Sequence, residues 1–375
     1  MWGMLLATMS LLLMGIGFRQ SLVAPATSAP PAFLAGLLSG VIAIPMQMPM
    51  WFRVAHLTGA GLLLAVYFLS YRRAWHVRPD LADDPHVEFS VAGIGDNPNH
   101  LTLSADGGMA YVTALKGGTL TAVDLAAREV RGQVKLGKQA ADVLALPDGR
   151  VLVSVMGGRG RLVVVDVQEG TVTPVEGVGM SRGMALSRDG SHVYVTSMSH
   201  DRVHLLAVDT LTVTATVPVG KRPNAVQVSR DGRLLYISVF ASDAVKVIDV
   251  STSETIATIA VGDRPRALSL NPDGDLLYVA CMDGLFAVID TNTLRAHRIK
   301  PQTWPGDIAA GQDVCYISDA SHGTITVFEP GLTSAVTAVK LGPRAPFPLA
   351  VAPDGRVYAA CQHDSTLVCV RTSAR

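Results

Sequence analysis

Seven aspartates recur at near-constant spacing through most of the chain: Asp106, Asp148, Asp189, Asp231, Asp273, Asp313 and Asp354, at intervals of 42, 41, 42, 42, 40 and 41 residues. A period of that length marks one supersecondary unit, and units of this kind fold as an array. Each unit reads as a strand, an Asp-Gly turn, a strand carrying an aromatic followed by small or β-branched residues, a polar turn, and a strand ending in Asp. The fourth unit gives Leu234-Leu235-Tyr236-Ile237-Ser238-Val239 and then Val245-Lys246-Val247-Ile248-Asp249-Val250. These short runs have strand periodicity, and nothing of helical length separates the units. Four-stranded sheets arranged radially bury both faces against their neighbours and leave few open edges. The sequence therefore predicts an all-β, seven-bladed propeller over residues 84–375.

Closure of the ring is also legible. The seventh unit ends at Arg375 after three strands, whereas His86 to Ala92 is a strand-like segment ahead of the first unit. That segment is expected to supply the outer strand of the last blade. The four cysteines, Cys281, Cys315, Cys361 and Cys369, lack CxxC or zinc-ligand spacing. With a hairpin turn near His363, Cys369 falls opposite Tyr358 and not opposite Cys361, so buried free thiols are expected.

The first 75 residues have a different character. Hydrophobic residues make up 49% of a chain with only 17% charged residues, and the apolar excess lies before residue 72. Residues 1–18, 33–52 and 54–71 are each near the length that crosses a bilayer as a helix, with a Pro-rich loop over 19–32. We expect a membrane region of three transmembrane helices over 1–75 and a linker over 76–83. The first span also has the competing reading of a cleavable signal peptide, although no basic residue precedes it. The localisation expected is therefore a multi-pass cell-membrane protein. Arg72, Arg73 and Arg78 beside the last span place the propeller in the cytosol by the positive-inside rule. Met46, Met48 and Met50 offer soft thioethers of the kind that hold Cu(I), or simply pack at the membrane.

Residues 1–83 hold five Arg and two Asp, which leaves 26 basic against 29 acidic residues for the rest. No basic tract suggests nucleic acid. P-loop, Rossmann, HExxH and CxxCH signatures are absent.

Tyr111-Val112-Thr113-Ala114, Tyr194-Val195-Thr196-Ser197 and Tyr278-Val279-Ala280-Cys281 recur at the same place in their units, with variants at Tyr236, Tyr316 and Tyr358. Val219-Gly220-Lys221-Arg222-Pro223 and Val261-Gly262-Asp263-Arg264-Pro265 open two units alike. In these features the chain resembles the YVTN (YncE-like) β-propeller family over about 290 residues. It departs from that pattern in lacking Asn as fourth residue of the signature, in Leu152 for Tyr, and in Gly311-Gln312-Asp313 for the turn. The resemblance implies a binding or scaffold module outside the cytosol, against the charge rule; the apolar N-terminal segment is not part of the family pattern.

Alignment on the turn aspartates puts Asn99, Ala141, Arg182, Asn224, Arg266, Gly306 and Phe347 at one equivalent, channel-facing position, with Arg222, Arg264 and Trp304 just before it. Arg182, Arg222, Arg264, Arg266 and Arg344 are expected to converge on one rim, with Asn99, Asn224 and Trp304, where guanidinium forks suit carboxylates or phosphates. Asp142, Asp263 and Asp307 are the groups that would neutralise it. His322 and His363, near Asp319 and Asp364, are weak metal candidates in loops between second and third strands. Gly179-Met180-Ser181-Arg182-Gly183 fits G-x-S-x-G but occupies a blade-entry loop and not a strand-to-helix elbow. His200 and His204 are four apart on a strand, which separates them by roughly 13 Å, too far for one metal.

The expectation is a membrane-anchored propeller acting as a scaffold for a protein partner or an anionic small molecule. The alternative is an enzyme of the propeller lactonase or lyase kind, or a dehydrogenase or redox-associated subunit. No cofactor is named by the sequence.

Overall fold

The computed structural model describes residues 86–371, apart from 138, 159, 300–304 and 330–336. The three expected membrane spans, the linker, the Met46/Met48/Met50 run and Trp304 lie outside the described residues. No helix among the described residues is long and apolar enough to cross a membrane.

Seven four-stranded antiparallel sheets make up the propeller. Their inner strands are Pro98–Leu103, Ala140–Ala145, Ser181–Leu186, Pro223–Val228, Pro265–Leu270, Ile308–Ala310 and Pro346–Val351. We number the blades 1 to 7 in that order.

The recurring aspartates earn their places as turn formers. Asp106, Asp148, Asp189, Asp231 and Asp354 each accept the backbone N–H two residues on, at 3.0–3.1 Å. That is the local bond which lets a short carboxylate stand in for a backbone acceptor. The aspartates ending the third strands, Asp124, Asp166, Asp249 and Asp290, do the same at the next turn, each accepting two successive N–H groups.

The signature residues have distinct tasks. Its aromatic crosses to the next blade: Tyr111 packs with Ala140 and Val151, Tyr194 with Val226 and Leu235, Tyr278 with Ile308 and Cys315, Tyr358 with Leu101 and Ala110. Leu152, which departs from the pattern, fills the same layer against Val193 and Val195. A leucine removes enough apolar surface from water there to keep the layer closed.

The third signature residue staples blades around the channel. Thr113 Oγ1 donates to Ala141 O at 2.9 Å, Thr196 Oγ1 to Asn224 O at 2.8 Å, and Ser318 Oγ to Phe347 O at 2.6 Å. In each case a buried hydroxyl satisfies a carbonyl of the following inner strand.

Closure follows the sequence expectation. Val87–Ala92 pairs antiparallel with Thr366–Val370 and so completes blade 7 from the opposite end of the described chain. Tyr358 is paired with Cys369, and all four cysteines are buried free thiols. Burial raises the pKa of each, so none is a ready nucleophile.

Candidate functional site

The seven positions aligned from the turn spacing, Asn99, Ala141, Arg182, Asn224, Arg266, Gly306 and Phe347, all line one cavity of about 300 Å³ at the ring's centre. His100, Asp142 and Asp307, each one residue further along, line it too. His100 was absent from the sequence-derived set. Its presence has a backbone cause: pairing with the second strand shifts register at the start of the inner strand, between Pro98 and His100 in blade 1. The same irregularity recurs in blades 2, 3, 4, 5 and 7. A bulge breaks strict alternation, so two consecutive side chains reach the channel where a regular strand would send one.

Two guanidinium groups dominate the cavity. Arg182 Nε donates to Asn224 Oδ1 at 3.1 Å, and its Nη1 lies 2.8 Å from Met156 Sδ. Arg266 stacks over the Phe347 ring, 4.3 Å from its centroid. Neither makes an ion pair among the described residues, whereas Arg131, Arg150, Arg230, Arg344, Arg356 and Arg371 all do. Burial disfavours the charged form of both Arg182 and Arg266, with Asp142 and Asp307 respectively acting in the opposite sense. Arg182 also repels Arg266.

The channel carboxylates are otherwise engaged. Asp142 Oδ1 lies 2.8 Å from His100 Nδ1 and accepts the Val143 N–H at 2.9 Å. Asp307 Oδ2 accepts the Leu349 N–H at 2.9 Å. Burial pushes the Asp307 carboxyl above its ordinary range, partly offset by His100, the Leu349 and Ile308 amides, and Arg266. Burial pulls His100 down, but Asp142, and behind it Asp307, outweigh that and raise its pKa against the opposing Arg182 charge.

The asparagines hold the rim. Asn99 Nδ2 donates to Ala141 O at 2.8 Å, and Asn224 Nδ2 donates to Arg266 O. Each ties its blade to the next along the channel wall.

Three expected rim arginines sit elsewhere. Arg222 and Arg264 are exposed and outside the cavity lining. Both adopt left-handed backbone, φ 58° and 48°. Their N–H groups donate to Asp201 Oδ1 at 3.0 Å and Asp243 Oδ1 at 2.8 Å. They are entry-turn residues, and Arg222 leans on Phe240. Arg344 is 4% exposed, because the 3-10 turn Gly342–Arg344 carries it under the blade-7 hairpin. There its Nη1 lies 3.0 Å from Asp364 Oδ2 and 3.3 Å from Thr366 Oγ1. A buried pair of this kind is structural.

The histidine candidates hold local bonds. His322 Nδ1 meets Asp319 Oδ2 at 2.7 Å, and His363 Nδ1 donates to Pro343 O at 2.7 Å. Among the described residues no group of three or more His, Cys, Asp or Glu side chains is placed to hold a metal ion. His200 and His204 correct the sequence estimate: His200 Nδ1 is 3.4 Å from His204 Nε2. The strand is Arg202–Ala207, so His200 belongs to the preceding turn, which folds it back over its neighbour. The pair lines an open groove of about 1020 Å³ between the outer parts of blades 2 and 3. Burial, with His200 and Arg202 nearby, pulls the His204 pKa down to about 4. Ser181 of the G-x-S-x-G match is 2% exposed and opens a strand.

The YNCE-like beta-propeller family model matches residues 83–272. No curated protein matches the chain. Among solved structures, a hydrazine synthase chain from Kuenenia stuttgartiensis is similar at TM-score 0.65 and 19% identity, over 80% of this chain and 98% of that one. A streptogramin B lyase is similar at TM-score 0.63 and 15% identity, over 77% of this chain and 97% of the other. At these identities the likeness is one of fold.

Proposed function

The chain belongs to the YNCE-like β-propeller family, and from that premise we propose that it is a membrane-anchored binding module whose central channel holds a small anionic ligand. The observation that carries this reading is the Arg182 and Arg266 pair. Two half-buried, mutually repelling guanidinium groups line one small cavity, and neither makes an ion pair among the described residues. Asp142 and Asp307 balance these charges at a distance but are engaged by His100 and by the Val143 and Leu349 amides, so an anion between the two guanidinium forks relieves their mutual repulsion. Family membership supports a binding role, since propellers present ligands to the channel mouth.

Thermal unfolding of the full-length protein in detergent, titrated with sulfate, phosphate and short carboxylates, tests the channel. A bound anion at a hundred times its Kd adds about 2.7 kcal/mol, and a rise of several degrees in Tm is expected. The double variant Arg182→Gln/Arg266→Gln, in which glutamine keeps a polar donor at each half-buried position, should stay folded and should lose that rise. An equal rise in both proteins places the anion elsewhere and removes the reading.

Residues 1–75 supply the anchor in this proposal, by the length and apolarity of their three spans. The full chain is expected to stay with membranes through alkaline carbonate extraction, and a chain beginning at residue 76 to leave them. Release of the full chain by carbonate would refute the anchor.

A further inference from the structure

We propose that the channel takes a small monocarboxylate together with one proton, which His100 holds while the anion is bound. This deepens the anion reading above and rests on it.

The charges facing His100 come from four other blades: Asp142 from blade 2, Arg182 from blade 3, Arg266 from blade 5 and Asp307 from blade 6. Blades 4 and 7 present Asn224 and Phe347, which are uncharged. Two cations and two anions cancel, so the cavity is neutral when His100 is neutral and carries one positive charge when it is protonated. An entering monoanion then leaves a neutral cavity only if a proton accompanies it. A dianion leaves an excess negative charge even with His100 protonated, beside two carboxylates held in place by the Val143 and Leu349 amides. In a site of low effective dielectric that excess opposes binding.

The geometry lets His100 play this part. Its side chain is 42% exposed, facing the cavity, while Nδ1 stays 2.8 Å from Asp142 Oδ1. The Asp142 charge at that distance stabilises the imidazolium, as a carboxylate partner does for a histidine. About 300 Å³, at the lower end of ligand cavities, suits an acid of a few carbons. Met184, Leu268, Leu349 and Phe347 give that acid an apolar wall for its tail.

The direction of the pH dependence follows from linkage. Asp142 already holds the free-site pKa of His100 above its ordinary value, and a bound anion raises it further. Below the free-site pKa the proton is present beforehand and affinity is flat. Above it, each anion must bring a proton, and Kd rises by up to about tenfold per pH unit.

Isothermal titration calorimetry on the full-length protein in detergent, with butyrate, benzoate and sulfate as probes, tests this in pairs of buffers of different ionisation enthalpy between pH 6 and 9. Expected are uptake of up to one proton per butyrate or benzoate at alkaline pH, rising Kd with pH, and sulfate at least tenfold weaker. His100→Gln should abolish the proton uptake. Carboxylate binding that depends on Arg182 and Arg266 but takes up no proton overturns the proposal and leaves the anion site standing. Tighter sulfate than butyrate overturns the ligand class. Proton uptake that survives in His100→Gln assigns the proton to Asp307 and overturns the role of His100. No binding by any probe removes both this proposal and the anion reading.

Discussion

A chain lacking residues 84–93 is expected to lose its cooperative thermal transition, or to show one lowered by more than about ten degrees, because those residues close the ring. Among the described residues, Val87–Ala92 is the strand that joins the N-terminal end of the propeller to the blade 7 sheet. Its removal takes away Phe89 and Val91, both buried, and the edge contact of Phe89 with Tyr358 at 6.3 Å between centroids. It also removes the ladder to Thr366–Val370 and the bond from the Gly93 N–H to Ser365 O. Each buried large side chain contributes roughly 1.5–3 kcal/mol, and each hydrogen bond about 1 kcal/mol. The strand left behind has Val368, Cys369 and Val370 wholly buried in the intact ring, and it becomes an exposed apolar edge. Set against a total stability of about 5–15 kcal/mol, the loss is comparable to the whole. Circular dichroism or calorimetry of the deletion variant measures it directly. A midpoint equal to that of the intact protein would mean the ring is held by inter-blade packing alone.

The fold was readable because its determinants are local and repeat. An aspartate that caps its own turn, an aromatic reaching the next blade and a hydroxyl stapling the neighbouring carbonyl each sit at a fixed offset, so seven copies reinforce one another. The channel ring was readable for the same reason: Asn99, Arg182, Asn224 and Arg266 stand whole periods apart and reach the same cavity. What escaped the sequence reading lies where the repeat is broken. The bulge in blade 1 sends His100 into the channel beside Asn99. The 3-10 turn Gly342–Arg344 takes a predicted rim arginine into a buried pair. Left-handed backbone at Arg222 and Arg264 makes entry-turn residues of two more. The turn before Arg202–Ala207 folds two histidines together that an extended strand would separate. In each instance the side chain was recognised correctly as polar and its environment was set by one or two backbone angles, which hydrophobic periodicity does not report.

Gly183→Ala should show how closely fold and channel are coupled, and it carries the second largest expected effect. A Cβ at this position would lie 2.5 Å from Asn224 O and 2.7 Å from Ala225 Cα. Both obstacles are backbone of the next inner strand, so no side-chain rotation relieves the clash. The neighbours are also pinned: Thr196 Oγ1 accepts the Gly183 N–H at 2.7 Å and donates to Asn224 O at 2.8 Å, while the Ala225 N–H donates to Ser238 Oγ at 2.9 Å. Blades 3 and 4 must therefore part, stretching the Thr196 staple that joins them. Overpacking of this kind costs about 1–3 kcal/mol and more where backbone must move. We expect the upper end of that range, read as a fall of roughly 6–12 °C in Tm at 2–4 °C per kcal/mol. The same displacement separates Arg182 from Asn224, whose side chains meet at 3.1 Å across this junction. Anion affinity should therefore fall together with stability, although position 183 carries no charge. Wild-type stability in this variant would mean that the inner strands have slack, and that hydroxyl staples and not backbone contact set the width of the channel.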